Sequence, residues 1–479
     1  MSHRTFSLVS NLTTTFAAAL LLFAAVSAPA QSFISLASFD GTNGVSPQAP
    51  LVQAMDGNYY GTTYSGGASE LPNGTIFKIT AAGAFTSTYS FCVTTTCDDG
   101  DLPWDGMILA PDGNLYGTTS FGGTNGSGTA YRLNTTTGVP TTIYNFCSLP
   151  HCRDGYAPNG LIQAADGNFY GTTAFTGRTQ NPGTVFKLTP TGVLTTLYTF
   201  CAETGCTDGW IPFNGVVQAT DGNFYGTTYN GGGCNEGTVF KITSAGAFTS
   251  LHSFCSSDGS VPSGLLQAAS GQLVGTTQSG GANGGGTVFE ITTSGTLTTL
   301  YNFCAVTGCA DGSGPTPYSA LIQATDGNFY GTTATGGSGN DGTVFKMTPG
   351  GTLTTLHSFA GTDGNGPTTA LVQATAGNFY GVTTGGGTDG DGTVFALSTG
   401  LGAFAKTVPT VGHVGTHVII LGNHLAGSTS VTFNGTPATF TVVSPGAIRA
   451  VVPTGATTGS VQVTTSSGTL TSNVPFRVE

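Results

Sequence analysis

The chain has 479 residues, of which 7% are charged, with 11 Lys and Arg against 23 Asp and Glu and a formal net charge of −12. A polyanion binder needs a cationic surface that this balance does not supply, so nucleic acid and anionic membrane surfaces are excluded as partners. Glycine occurs 76 times, and Thr, Ser and Asn dominate the uncharged polar residues, a composition that suits an exported all-β protein and not a helical one.

From the N-terminus, His3 and Arg4 lead into an apolar run, Phe16 to Val26, that ends in Ala28-Pro29-Ala30. This pattern predicts a signal peptide over residues 1–30, cleaved before Gln31. The run is too short to span a bilayer, no later one reaches about eighteen residues, and no hydrophobic tail closes the sequence. The expectation is a secreted or cell-surface protein with no membrane insertion after cleavage.

Beyond the leader, Gly-Thr-Thr or a close variant recurs at Gly61, Gly117, Gly171, Gly226, Gly275, Gly331 and Gly381, at intervals of 49 to 56 residues. A period near 50 belongs to propeller blades. Each copy reads as four strands, clearest at 161–200. An Asp-Gly pair joins the first two as a two-residue type I′ hairpin, with Asp56, Asp112, Asp166, Asp221 and Asp326 serving the turn and not a metal. Strands such as Thr184 to Leu188 are apolar on both faces, as sheets packed face to face around a ring require. The prediction is a seven-bladed β-propeller over 31–406, closed by pairing the leading strand Phe33 to Phe39 with Gly392 to Ser398.

Eight of the ten cysteines fall in pairs separated by four residues: Cys92 and Cys97, Cys147 and Cys152, Cys201 and Cys206, Cys304 and Cys309. Each second cysteine arrives with four extra loop residues, which in an exported chain predicts local disulfides, with Cys234 and Cys255 forming the fifth. The rival, zinc, would need two pairs to converge. A second aspartate series, Asp40, Asp99, Asp154, Asp208, Asp258, Asp311 and Asp363, precedes glycine in every copy, with proline three residues after the glycine in six. These carboxylates either cap their own turns, the reading adopted, or collect a ligand or calcium on one face of the ring, calcium being the one cofactor they would admit. Trp104, Trp210 and Tyr156 stand in the same loops, as a sugar-stacking platform or as packing against loop prolines. The glycine-rich loops, such as Gly231 to Gly233, lack the lysine and following helix of a phosphate cradle. His252 and His357 take strand positions that are tyrosine in sister copies.

The repeat unit Asp166 to Thr173 followed by Gly183 to Thr189 resembles the GloVer tandem repeat of Gloeobacter- and Verrucomicrobia-type exported proteins, over about 32–406. That resemblance implies a surface or secreted protein whose anchor varies between relatives. Residues 407–479 resemble an IPT/TIG domain on Pro409, Gly412, Gly415, Val418, Ile420, Gly422, Val431 to Gly435 and Ile448 to Pro453, which implies an immunoglobulin-like β-sandwich acting as a spacer or adhesion module. No nucleophile elbow or zincin motif appears. The function expected is a non-enzymatic binding, adhesion or structural module for a glycan or an extracellular protein. The alternatives are a polysaccharide lyase or hydrolase, which needs a carboxylate pair in one cleft, and a copper radical oxidase, which needs two tyrosines, two histidines and a cysteine around the metal.

Overall fold

The computed structural model describes residues 31–68, 73–177, 182–315 and 320–479; the signal peptide expected at 1–30 lies outside them. Seven antiparallel sheets follow one another along the chain. Blade 1 holds Val52–Gln53, Tyr59–Thr63, Thr75–Ile79 and Phe85–Ser90 from the axis outward, and the pattern repeats over 108–145, 156–199, 216–253, 260–302 and 313–358. Blade 7 joins Val372–Gln373, Phe379–Thr383 and Thr393–Ser398 to Ser32–Ser38, with Phe33 opposite Leu397, so the two ends of the propeller chain share one sheet as expected. The phenylalanine that ends each outer strand (Phe39, Phe91, Phe146, Phe200, Phe254, Phe303, Phe359) is at most 1% exposed and packs between blades, as where Phe146 meets Phe186 edge to face at 5.2 Å.

The Gly-Thr-Thr motif has a separate physical role for each residue. A Cβ on Gly61 would stand 2.5 Å from Cζ of Phe77, so glycine makes room for the third-strand ring. The first threonine reaches the next blade: Thr62, Thr172, Thr227 and Thr332 donate to the carbonyls of Asp105, Pro212, Ser263 and Thr369. The second pairs its hydroxyl with a third-strand threonine at 2.8 to 2.9 Å in all seven blades, a buried contact that satisfies both groups. Its methyl side is covered by the glycine of the second Asp-Gly series, where an added Cβ would come within 2.0 to 2.6 Å of the threonine at Gly44, Gly100, Gly155, Gly209, Gly259, Gly312 and Gly364.

Two features depart from the sequence reading. The first Asp-Gly hairpins are three-residue loops and not type I′ turns: Ala54 donates to Asn58 O, Gly57 donates back to Ala54 O, and only the glycine has positive φ. Asp56 keeps a right-handed or extended backbone and accepts the Asn58 N–H, which makes this a turn with a glycine bulge. In blades 5 and 6 the inner strand is split, Ser260–Pro262 from Leu266–Gln267 and Ser313–Pro315 from Ile322–Gln323.

One left-handed position occurs in every blade, strained in the five where it is not glycine. Ser46, Leu102, Ala157, Ile211, Val261, Gly314 and Gly366 have φ between 50° and 62°, a conformation that disfavours β-branched residues. Six of them donate their N–H to the preceding blade at 2.9 to 3.1 Å, Ser46 to Asp391 closing the ring. Val261→Gly removes the strain and adds unfolded-state entropy of similar size, so stability should change by no more than about 1 kcal/mol. Val288→Gly, at a fully buried strand position, should cost roughly 3 kcal/mol or more. Equal losses in denaturant titrations would contradict the strain account.

The C-terminal domain is a sandwich of two four-stranded sheets, Lys406–Val408, His417–Leu421, Ala447–Val451 and Phe440–Ser444 against Thr436–Pro437, Ser430–Phe433, Val461–Thr465 and Gly468–Thr471. It begins slightly before the predicted residue 407, because Ala405 is already in its core with Val418, Ile420, Phe433, Val463 and Phe476. Alternation sends Ile419 and Leu421 the other way, onto Ala54, Met55 and Leu109 of blades 1 and 2. Arg449 donates to Asp112 O at 2.9 Å, Ser444 to Met55 O and Arg477 to Thr220 O. The sandwich therefore caps the face of the propeller that carries the Asp-Gly hairpins.

A belt of glutamines explains where it sits. The first-strand side chains Gln53, Gln218, Gln267, Gln323 and Gln373 each accept an N–H from the hairpin of the preceding blade, at 2.7 to 3.1 Å. Blade 2 has Leu109 at this position and Pro111 where the donor should be. Gln163 Oε1, which would accept from residue 111, is buried and accepts no bond. The break leaves an apolar patch, and the sandwich covers it. Gln163 and Gln323 both donate to a hairpin carbonyl, Gly167 and Gly327, and differ in that only Gln323 also holds an N–H. Gln323→Leu should therefore cost about 1 to 3 kcal/mol more than Gln163→Leu; equal losses on unfolding would refute the broken belt.

Candidate ligand face of the propeller

The face opposite the sandwich is built from the loops that join the second to the third strand and each blade to the next. Both Asp-Gly-x-x-Pro and cysteine loops lie there. Asp154, fully buried, accepts the Tyr144 hydroxyl at 2.8 Å and the N–H groups of Ser148 and Leu149 at 2.8 and 3.1 Å. Asp208 and Asp311 do the same with Tyr198 and Tyr301, and Asp99 with Tyr89 and the Cys92 N–H. In the cysteine-poor loops histidine replaces tyrosine: His252 meets Asp258 at 2.8 Å and His357 meets Asp363 at 2.9 Å. Burial pushes the Tyr144 hydroxyl up to about 12, with Asp154 adding to the shift.

Asp40 does not belong to this series. Its backbone N–H is the group being capped, by Asn43 Oδ1 at 3.1 Å, as Cys255 and Ala360 are capped by Asp258 and Asp363. Asn43 holds the repeat position, Gly44 lies on Thr63, and with that register Pro47 follows three residues later, so all seven copies carry the proline. The remaining six carboxylates serve their own loops. Among the described residues the sole group of three metal-type ligand atoms within 4.8 Å is Cys92, Cys97 and Asp101, and those cysteines are bonded to each other.

All ten cysteines are in the five disulfides expected, Cys92–Cys97, Cys147–Cys152, Cys201–Cys206, Cys304–Cys309 and Cys234–Cys255. Both residues of each short pair have φ between 46° and 59°, so the cross-link holds two left-handed residues in a loop of six. The first series of aspartates forms a different network: Asp166 accepts Asn168, Tyr170 and Lys187, whose ammonium lies 5.7 Å from the centre of the Tyr170 ring. Burial works to raise Asp166, but the bonds from Asn168 and Lys187 hold it below the ordinary carboxylate range. Where blade 5 loses the aspartate (Ser270) it also loses the tyrosine and lysine, replaced by Val274 and Glu290.

Around the axial mouth of this face, one bridging pair per blade joins the start of the inner strand to the end of the second: Val45 with Ser65, Asp101 with Phe121, Tyr156 with Phe175, Trp210 with Asn230, Ser260 with Ser279, Ser313 with Thr335 and Asn365 with Gly385. Aromatic side chains collect on blades 1 to 4. Tyr64 and Trp104 meet edge to face with centroids 5.0 Å apart; Tyr156, Phe175, Phe213 and Tyr229 run in series at 5.4, 6.4 and 5.7 Å. All are partly exposed, and Phe121 is 43% exposed. The pairs of blades 5 to 7 are hydroxyls, amide and glycine. Asp101 and Asp105 flank Trp104, and burial raises both carboxyls above the ordinary range. The sequence reading named Trp104, Trp210 and Tyr156 and missed Tyr64, Phe121, Phe175, Phe213 and Tyr229. An aromatic just after the Gly-Thr-Thr of blades 1 to 4 was the signal.

Burial also holds the His357 imidazole below the ordinary histidine range, against the pull of Asp363. The unfolded chain then binds this proton more readily than the folded one, so stability falls as pH drops through about 6.5 toward the folded value. His357→Tyr, the residue of sister blades, should flatten part of the decline in Tm between about pH 7 and pH 5; parallel Tm curves for the two proteins would refute this.

Fold and site define a seven-bladed propeller whose hairpin face is capped by an immunoglobulin-like sandwich and whose loop face carries a half-aromatic mouth. The chain belongs to the Gloeobacter/Verrucomicrobia repeat family, which matches residues 22–159, 148–316 and 309–419, and an IPT/TIG domain matches 405–478. A comparison with curated proteins found no match. Among solved structures, a fungal alcohol oxidase of the AA5 family in complex with copper is similar at 12% identity and TM-score 0.52, covering 93% of this chain and 98% of that one. The extracellular domain of a proposed one-component system from Bacteroides thetaiotaomicron is similar at 11% identity and TM-score 0.50, covering 93% and 59%. At these identities the likeness is one of fold. Among the described residues every cysteine is in a disulfide, and His252 and His357 lie on the outer strands of separate blades.

Proposed function

We propose that the protein is an exported, non-enzymatic binding module, with the sandwich seated on one face of the propeller and the other face recognising an extracellular glycan or protein. Five disulfides support an oxidising compartment, and among the described residues no helix is long and apolar enough to cross a membrane. The observation that carries the reading is the asymmetry of the mouth: seven near-identical blades place partly exposed aromatics on one side only, which packing of the ring does not require. A second reading, polysaccharide cleavage, draws on Asp101 and Asp105, two carboxyls raised by burial on either side of Trp104.

Labelled protein comprising residues 31–479, applied to arrays of glycans and of extracellular proteins, should show saturable binding that Phe121→Ser together with Phe213→Ser abolishes at unchanged Tm. Release of shortened or unsaturated products from a bound polysaccharide would replace binding with cleavage. Absence of any ligand on both arrays would refute the binding module.

A further inference from the structure

Resting on that reading, we infer that the mouth binds an uncharged polysaccharide, as a chain that occupies two stacking subsites at once. The first subsite is Tyr64 and Trp104 at the junction of blades 1 and 2; the second is Phe175, Phe213 and Tyr229 at the junction of blades 3 and 4. In both, the rings meet edge to face, at interplanar angles of 83° to 84°, so each cluster keeps ring faces at differing orientations. Flat apolar faces suit the C–H faces of pyranose rings as they suit any planar or ring-shaped partner. Facing them, Ser260, Ser279, Ser313, Thr335 and Asn365 supply hydroxyl and amide groups to the polar edges of the same sugars.

Charge selects among glycans. Across the seven bridging pairs Asp101 is the one residue charged at neutral pH, and no pair contains Lys or Arg. The chain as a whole carries −12. A uronate polymer or a nucleic acid would bring its anions against a carboxylate with no cation in the seven bridging pairs to receive them, whereas a neutral chain meets no such penalty. Two subsites joined through one ligand give an affinity that rises steeply with chain length, because the second contact is intramolecular.

Trp104 and Trp210 are the two tryptophans of the chain, so intrinsic fluorescence reports on this mouth directly. Titration with cellohexaose, xylohexaose and mannohexaose should give a saturable change with at least one of them. The matching disaccharide should bind at least tenfold more weakly, and hexagalacturonate not at all. Trp210→Phe should retain the signal through Trp104; Phe213→Ser in the second subsite and Tyr64→Ser, on a partly exposed side chain of the first, should each weaken calorimetric affinity at least tenfold. Binding of hexagalacturonate or of an array protein in place of every neutral hexaose would overturn this inference and leave the binding module standing. A neutral hexaose bound equally well by both variants, or no more tightly than its disaccharide, would overturn the two-subsite assignment. Failure of every saccharide and every protein would remove both.

Discussion

Each blade is locked to the next by a proline ring laid on a glycine that has no room for a side chain. A Cβ on Gly74, Gly128, Gly183, Gly237, Gly286, Gly342 or Gly392 would stand 2.4 to 2.8 Å from Cδ of Pro103, Pro158, Pro212, Pro262, Pro315, Pro367 or Pro47 in the following blade. The last contact joins blade 7 to blade 1, so the circle is closed by the same atoms as every other junction. Around this contact the other repeated parts fall into place: in six blades the left-handed residue just before the proline donates to the preceding blade, and the threonine hydroxyl pair sits one layer below. Close packing of backbone on ring leaves little freedom in the angle between blades, which is why seven copies of somewhat different length still make one regular ring.

The aspartates divide by partner and not by spacing. The five of the hairpin face each hold a tyrosine of their own sheet, and Asp166, Asp221 and Asp326 a lysine as well; blade 5 lacks aspartate, tyrosine and lysine together, whereas blade 7 lacks the aspartate and keeps Tyr380. Those of the loop face hold backbone N–H groups of the loop that follows the outer strand. In both cases the carboxylate replaces water for groups that the fold removes from solvent, which accounts for their abundance in a chain otherwise poor in charge.

The blade count, the closing strand, the four short disulfides and the sandwich were legible in the sequence, because each follows from a pattern repeated within one chain: a period near 50, a four-residue spacing, an alternation; Cys234 and Cys255 followed only as the pair left over. Two local features were not legible. Asp-Gly at 40–41 imitates the repeat dipeptide, and only the distance from Gly44 to Pro47, set by the glycine's contact with Thr63, identifies Asn43 as the true counterpart. The hairpin type was misread because Asp-Gly serves a bulged three-residue loop as readily as a type I′ turn, and the Asn58 amide decides between them. Of the mouth, Trp104, Trp210 and Tyr156 were legible from their loops, and the aromatics that join them were not. Tyr64 and Trp104 lie forty residues apart in different blades, and ring geometry, not sequence spacing, brings them into contact.

The interruption of the glutamine belt at Leu109 and Pro111 has a consequence for symmetry. A perfectly regular ring would offer a docking domain seven isoenergetic azimuths, and a short connector alone would narrow them without choosing one. A single irregular sector lifts that degeneracy. The orientation of the sandwich, and hence the direction in which the opposite face is held toward its surroundings, is set by two residues that depart from the repeat.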